Sequence, residues 1–114
     1  MKKLTPRQLF KKRLIHLLKV VADFCCQELG VKYKSFAAIH PNDPEYRKLD
    51  GYACTQRRIR VDLFNKKDKF HTLSYLIDTV VHECCHLVHF RHTQNFWDLH
   101  KVMTKKVKET FEIS

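Results

Sequence analysis

The sequence is poor in the residues that interrupt regular structure, with two glycines and three prolines among 114 residues. It has no Gly/Ser-rich linker, internal repeat or low-complexity segment at which the chain would divide. A chain of this length has room for one modest hydrophobic core. We therefore predict a single domain over residues 1–114.

Long apolar segments are also missing. No run reaches the roughly 18 apolar residues of a membrane-spanning helix, and the basic N-terminus lacks the apolar core and cleavage site of a secretory signal. We expect a soluble intracellular protein, cytoplasmic or nuclear, with no membrane partner. The cysteines agree, because their number is odd and Cys25-Cys26 and Cys84-Cys85 are adjacent pairs. We interpret these four as small helix-core residues in a reducing compartment and leave the role of Cys54 open.

Acidic residues are scarce: 12 Asp and Glu stand against 22 Lys and Arg, a formal charge of +10. Such a surface attracts polyanions, and the sequence-independent part of nucleic-acid binding is mainly electrostatic. Basic side chains recur on the first and last predicted helices, at Arg7, Lys11, Lys12 and Lys19 and at Lys101, Lys105 and Lys108. We expect DNA to be a partner through this surface, with a merely solvated helix face as the alternative.

Capping residues and apolar spacing predict three helices. The first begins after Thr5, with Pro6 at its first position and Gln8 completing a capping box, and it ends at Gly30. The second, capped by Thr72 or Ser74, is apolar on nearly all sides and should form the core. The third follows Thr93 and runs to about residue 111.

Three strands are predicted between the first two helices, at residues 31–39, 51–54 and 58–64. Residues 55–57 would form a hairpin turn, although without the usual glycine. The chain is thus expected to have an α+β fold, with an N-terminal helix, a small three-stranded, mainly antiparallel sheet, a buried helix and a C-terminal helix.

The most informative stretch is His-Glu-Cys-Cys-His at residues 82–86, inside the predicted core helix. Residues four apart share a helix face, so His82 and His86 can offer two imidazoles to one metal ion. A zinc ion held in this way lowers the pKa of a bound water towards ~7. Glu83 can take the proton from that water, and the pattern therefore indicates a metallohydrolase. The alternative is a solvated helix face of His and Glu.

A third ligand distinguishes these interpretations. On a straight helix His89 would lie ~10 Å along the axis from His82, too far for one zinc ion, and we expect it to support a ligand or to pack. His92 can complete a tripod of three imidazoles only if the chain turns back between His89 and His92.

From about Leu29 to Met103 the sequence resembles the WLM family of zinc peptidases and, more distantly, the YgjP-like and SprT/Spartan-like families. The resemblance lies in Pro-Asn-Asp-Pro at residues 41–44, Gly51, the segment 59–63, and Asp-Thr-Val-Val at 78–81 leading into the histidine motif. It continues through His89, His92 and Phe96-Trp97. It implies a zincin-like fold, with His82, His86 and His92 as zinc ligands and Glu83 as the catalytic base.

The resemblance also implies function and partners. Such peptidases are associated with degrading proteins crosslinked to DNA, and DNA promotes their cleavage. Eukaryotic members carry C-terminal tails that recruit ubiquitin-like modifiers and segregases, and we expect no such recruitment because the sequence printed here ends at Ser114.

The sequence departs from the family next to the third histidine. WLM members usually have Gly-Pro before it and Asp after it, where this chain has Phe90-Arg91 and Thr93. Without glycine, the helix must accept a left-handed residue at a cost of ~1 kcal/mol or end in another turn. His89 stands where metzincins have glycine, which argues against that class.

We therefore predict a zinc-dependent endopeptidase that acts on DNA-bound or DNA-crosslinked proteins. One alternative is a zinc-stabilised DNA-binding module without peptidase activity, although a structural zinc needs no general base and normally has four protein ligands. Another is a basic helical adaptor whose histidines bind nothing. Tyr75, Arg60 and His89 are candidates for stabilising the oxyanion.

Overall fold

The computed structural model describes residues 3–39, 58–65 and 67–113. In chain order these form α1 (Pro6–Leu29), β1 (Ser35–Ile39), β2 (Arg58–Asp62), α2 (Leu73–His86) and α3 (Gln94–Thr110). The described part of the chain is therefore mixed α and β, with three helices and a two-stranded sheet packed on one hydrophobic core. None of its helices combines the length and apolar character needed to cross a bilayer.

The first helix begins and ends where the sequence predicts. The Thr5 hydroxyl accepts a hydrogen bond from the Gln8 amide, and the Gln8 side chain accepts one from the Thr5 amide, which completes the capping box. Gly30 ends the helix in the left-handed conformation, with φ of 69° and ψ of 30°. A side chain at that position would be strained, which explains one of the two glycines in the sequence.

The sheet differs from the prediction. β1 and β2 are parallel, with Ser35 opposite Arg58 and Ile39 opposite Asp62, so the antiparallel orientation predicted for the sheet is wrong for this pair. Parallel strands require a crossover of about a dozen residues or more, and residues 40–57 supply that length. The predicted strand at 51–54 and the predicted hairpin turn at 55–57 lie outside the described residues.

The strand predicted at 58–64 is confirmed over Arg58–Asp62. Ile59, Val61 and Leu63 are fully buried, and the strand packs against α2. Beyond β2 the chain turns back, and an isolated antiparallel bridge joins Phe64 to Phe70. This turn leads into Thr72, whose hydroxyl accepts a hydrogen bond from the Tyr75 amide and so begins α2.

The second helix is the centre of the fold, as its composition predicts. It packs against α1, α3 and β2. Six of its apolar residues are fully buried, namely Leu76, Ile77, Val80, Val81, Cys84 and Cys85. Cys25 and Cys26 of α1 are also buried, and all four described cysteines are free thiols, which confirms them as helix-core residues. Cys54 lies outside the described residues.

The end of α2 explains how the chain turns without glycine. Leu87 caps the helix with φ of −69° and ψ of −20°, and no residue from 87 to 93 has a positive φ. The amides of Leu87 and Val88 bond the carbonyls of Cys84 and Cys85, which tightens the last turn and satisfies its acceptors. The helix thus ends at His86, earlier than the predicted turn between His89 and His92.

The third helix follows after a short connection. The Thr93 hydroxyl accepts a hydrogen bond from the Phe96 amide at 3.3 Å, which confirms the predicted cap. Phe96, Met103 and Val107 form its buried face. Because the cap directly follows His92, the start of α3 also fixes where that histidine lies.

Candidate metal centre

The structure brings together the three histidines that the sequence selects. His82 and His86 lie one turn apart on the same face of α2, and His92 arrives from the connection to α3. Each offers one ring nitrogen, and the three nitrogens lie within 4.8 Å of one another. Among the described residues this is the one group of three or more such side chains close enough to hold a metal ion.

The distances from the His82 nitrogen to the other two nitrogens match tetrahedral coordination. His82 Nε2 lies 3.1 Å from His86 Nε2 and 3.2 Å from His92 Nε2. Two imidazoles bound tetrahedrally at the usual metal–nitrogen distance of ~2.0–2.1 Å would have their nitrogens ~3.3 Å apart. The three side chains are thus positioned to hold a metal ion without rearrangement of the backbone.

Hydrogen bonding alone does not account for this arrangement. His86 Nδ1 lies 3.3 Å from the carbonyl oxygen of His89, and an N–H there leaves Nε2 of the same neutral ring as an acceptor. If His82 Nε2 carries a proton and donates it to His86, it has no lone pair for His92, and the His82–His92 contact can at best share that same hydrogen. A shared cation would satisfy all three nitrogens.

The same contact of His86 defines the role of His89. The His89 ring is not one of the three that could hold the ion. The backbone carbonyl of His89 instead accepts a hydrogen bond from Nδ1 of His86, the ring nitrogen that does not face the cluster. Such contacts fix the tautomer and the orientation of a metal-binding imidazole. His89 therefore supports the site through its backbone carbonyl, which is positioned by the end of α2 at His86.

The environment of the two histidines on α2 favours their neutral form. Burial, followed by the neighbouring rings of His86, His100 and His92, lowers the pKa of His82 to about 4. Burial also lowers the pKa of His86, although the hydrogen bond to the His89 carbonyl acts in the opposite direction. Neutral rings have the free lone pairs that metal binding requires.

Two aromatic residues of α3 hold the three rings in place. Phe96 is fully buried and contacts all of them, with ring centroids 4.5 Å from His86 and 5.0 Å from both His82 and His92. Trp97 stacks on the outer ring, His92, with centroids 5.5 Å apart and planes 19° from parallel. The contacts of Phe96 explain why α3 must dock for the site to form.

His100 is a residue that the sequence reasoning missed. Its ring lies 5.6 Å from His82 and 5.7 Å from Trp97, measured between centroids. One signal could have found it, because His100 is one helical turn after Phe96, on the same face of α3. It stands beside the site and is not among the three residues that could hold the ion.

The other residues that the sequence suggests for catalysis lie on α2 and β2. Glu83 directly follows His82 on α2 and is half-buried. Tyr75, at the opposite end of α2, stacks on His71 with centroids 4.2 Å apart. Arg60 is a half-buried residue of β2.

A groove of about 600 Å³ runs from His100 and Trp97 along α3, past Lys101 and Lys105, towards the C-terminal end of the described chain. Lys105 pairs with Glu109 at 4.0 Å, and both are well exposed. The basic row predicted on α3 therefore lines a surface that adjoins the histidine cluster. On α1, by contrast, Arg7 is engaged with Asp68 at 3.4 Å.

Comparison with known proteins agrees with this site. The model of the WLM domain matches residues 43–112, which is more than half of the chain and includes the histidine cluster and α3. No curated protein and no solved structure gave a match.

Proposed function

Because the chain belongs to the WLM family, a family of metallopeptidase type, we propose that it is a zinc-dependent endopeptidase. The observation that carries the proposal is the convergence of three imidazole nitrogens. One of them belongs to His82, the residue directly before Glu83. Three imidazoles and an open fourth position are typical of catalytic zinc, whereas structural zinc is usually held by four protein ligands. We assign His82, His86 and His92 as the ligands.

Zinc in this position would supply a Lewis acid for polarising a scissile carbonyl. The chain supplies the proton transfers. Glu83 takes a proton from the attacking water as the C–O bond forms, and returns it to the amine as the peptide C–N bond breaks. His86 keeps its orientation through the His89 carbonyl, and the packing of Phe96 excludes water from the inner side of the cluster.

The test is a pair of glutamate substitutions in the full chain. Glu83→Gln should retain stoichiometric zinc and the wild-type melting temperature, while turnover of an unstructured protein substrate falls by about 10²–10⁴-fold. Glu28→Gln removes a charge of the same kind from an exposed position of α1, away from the groove beside the site, and should leave turnover unchanged. Full activity in Glu83→Gln would refute the assignment of the general base.

We further propose that the peptidase is associated with DNA and acts on DNA-bound or DNA-crosslinked proteins. The support is the formal charge of +10 and the position of Lys101 and Lys105 along a groove that begins at Trp97 and His100. DNA held there would bring a protein attached to it close to the histidine cluster. Proteolysis of a histone or of the chain itself should then increase on addition of single-stranded DNA.

Charge reversal locates the DNA surface. Lys101→Glu combined with Lys105→Glu should weaken binding to a labelled oligonucleotide and reduce the salt dependence of binding by about one phosphate contact per lysine. Lys12→Glu combined with Lys19→Glu makes the same charge change on exposed residues of α1 and should weaken binding less. Equal losses in both variants would argue for a diffuse attraction instead of a defined surface.

The alternative, a zinc-stabilised DNA-binding module, makes a different prediction. It would bind zinc and DNA at stoichiometric levels and leave every protein substrate intact, with or without DNA. The cleavage assay with wild-type protein therefore separates the two functions.

A further inference from the structure

His100 lies where the groove along α3 meets the histidine cluster. Its ring centroid is 5.6 Å from that of His82, and the two ring planes are 73° apart. Its side chain also lines the groove of about 600 Å³, together with Trp97 and Lys101. A peptide that reached the cluster along this groove would therefore pass the ring of His100.

The ring of His100 is held in place by aromatic neighbours on the same helix. Its centroid lies 6.0 Å from that of Phe96 and 5.7 Å from that of Trp97, and Phe96 is fully buried. His100 follows Phe96 by one helical turn, so both side chains share a face of α3. Packing thus fixes the orientation of this ring beside the cluster.

The ring nitrogens of His100 are available to a ligand in the groove. The residue is half-buried, and no hydrogen bond joins its ring to any residue in the described part of the chain. A histidine ring carries at least one N–H in either protonation state. In the cluster, by contrast, the Nε2 atoms of His86 and His92 both face that of His82. His100 therefore offers a donor that the candidate metal centre does not use.

Peptide hydrolysis requires a donor of this kind. When water adds to the scissile carbonyl, the carbonyl oxygen becomes negatively charged, and a positioned hydrogen-bond donor stabilises that charge. The sequence suggests Tyr75, Arg60 and His89 for this role, but none of them lines the groove. Tyr75 lies seven residues before His82, which is about 10 Å along the helix axis. His89 reaches the cluster through a carbonyl oxygen, which is an acceptor.

We propose that His100 is a catalytic residue that donates a hydrogen bond to the oxygen of the scissile carbonyl. As the water oxygen bonds to the carbonyl carbon, the π electron pair moves onto the carbonyl oxygen, which accepts the bond from His100, and Glu83 takes one water proton. When the C–N bond breaks, the C=O bond forms again and the amine receives that proton from Glu83. His100 gains and loses no proton. This role rests on the proposed peptidase function.

The competing role for His100 is to pack against His82, and two substitutions separate packing from hydrogen bonding. His100→Phe keeps an aromatic ring and removes both ring nitrogens. His100→Gln removes the ring and retains an N–H donor. A residue that only positions His82 should be replaced better by phenylalanine, whereas a hydrogen-bond donor should be replaced better by glutamine.

Steady-state kinetics of the zinc-loaded full chain provide the first measurement. His100→Phe should lower kcat by about 10²–10³-fold with KM nearly unchanged, as expected for loss of an oxyanion donor, and His100→Gln should recover about tenfold of that loss. Both should retain stoichiometric zinc, and His16→Phe, at an exposed position of α1, should behave as wild type. A lower kcat in His100→Gln than in His100→Phe would overturn the proposal. His100→Ala replaces His100→Phe in this comparison should circular dichroism show the latter to be unfolded.

The second measurement involves no turnover. A phosphonamidate peptide has a tetrahedral phosphorus with a charged oxygen in place of the scissile carbonyl, and isothermal titration calorimetry gives its Kd for the zinc-loaded chain. His100→Phe should weaken binding of this analogue by about 10²-fold. In the Glu83→Gln background, the same substitution should change the Kd of the uncleaved substrate peptide by less than about twofold. Equal weakening for both ligands would assign His100 to substrate binding and overturn the proposal.

Failure of this inference differs from failure of the proposed function. A wild-type chain that binds no zinc, or that cleaves no protein substrate with or without DNA, would refute the peptidase and, with it, the role of His100. An active, zinc-loaded wild type whose His100→Phe variant is equally active would refute the role of His100 alone. The assignment of the three ligands and of Glu83 would then stand.

Discussion

The indole of Trp97 lies against the ring of His92, with their centroids 5.5 Å apart and their planes 19° from parallel. His92 is the exposed member of the three histidines and is the one that comes from a connecting segment. Its position therefore depends on this stacking more than the positions of His82 and His86 do, since both of those are held by α2.

Removing the indole should loosen the outer ligand. Trp97→Ala is expected to lower zinc affinity by about tenfold. Substituting residues that orient metal ligands typically lowers metal affinity by about 10–100-fold, and we expect the lower value here. Titration against a chromophoric chelator measures this. Trp97→Phe should restore most of the affinity because it keeps a stacking ring, and Val102→Ala, at an exposed position on the same helix, should have no effect.

The two histidines of the connecting segment should behave differently. His92→Ala is expected to abolish stoichiometric zinc binding, because it deletes one of three ligands. His89→Ala should retain zinc, because the contact to His86 comes from the backbone carbonyl of residue 89. Metal analysis of both purified variants decides, and loss of zinc from His89→Ala alone would show that the ligand set is wrong.

Two threonine caps offer a test of how α3 contributes to the site. Thr5 and Thr93 each accept a hydrogen bond at the start of a helix, and alanine at either position should cost about 1 kcal/mol of unfolding free energy. Only Thr93 adjoins His92, so Thr93→Ala should also lower zinc affinity, whereas Thr5→Ala should not. Urea unfolding and zinc titration together separate the two effects, and an equal loss of affinity in both variants would contradict this account.

The buried thiol of Cys85 predicts a loss of stability at high pH. Burial raises the pKa of Cys85 from 9.0 to about 12, so between these values the folded chain keeps a proton that the unfolded chain has lost. The folded state binds more protons in that window, and the unfolding free energy therefore falls as pH rises.

The measurement compares urea unfolding of chelator-treated protein at about pH 8, below the window of proton release, and at about pH 10, within it. Cys85→Ala should lose less stability over this interval than wild type, since the other titrating groups are common to both. An identical loss would exclude Cys85 as the source.

Much of the candidate site could be predicted because its signals are local. The spacing of His82 and His86 fixes a shared helix face, and Thr93 fixes where α3 begins. The position of the turn could not be predicted in the same way. Hydrogen bonds from Leu87 and Val88 to the preceding turn end α2 at His86, and such bonds have no compositional signature comparable to a glycine.

Strand orientation failed for a related physical reason. Alternation of Ile59, Val61 and Leu63 reports that one face of a strand is buried, and it is the same for parallel and antiparallel neighbours. The orientation depends on how the chain connects the two strands, which the periodicity of β2 does not encode. His100 was missed because its contact with His82 depends on how α2 and α3 pack.

The three histidines do not come from one rigid segment: two belong to α2, and the third immediately precedes α3. An ion bound by all of them would link these two helices. The free energy of ion binding would then stabilise the docking of α3 on α2. Amide hydrogen exchange in α3 should then slow with increasing zinc concentration, while exchange in α1 follows only global unfolding. The occupancy of the site would thus set how often α3 detaches and becomes accessible to proteolysis.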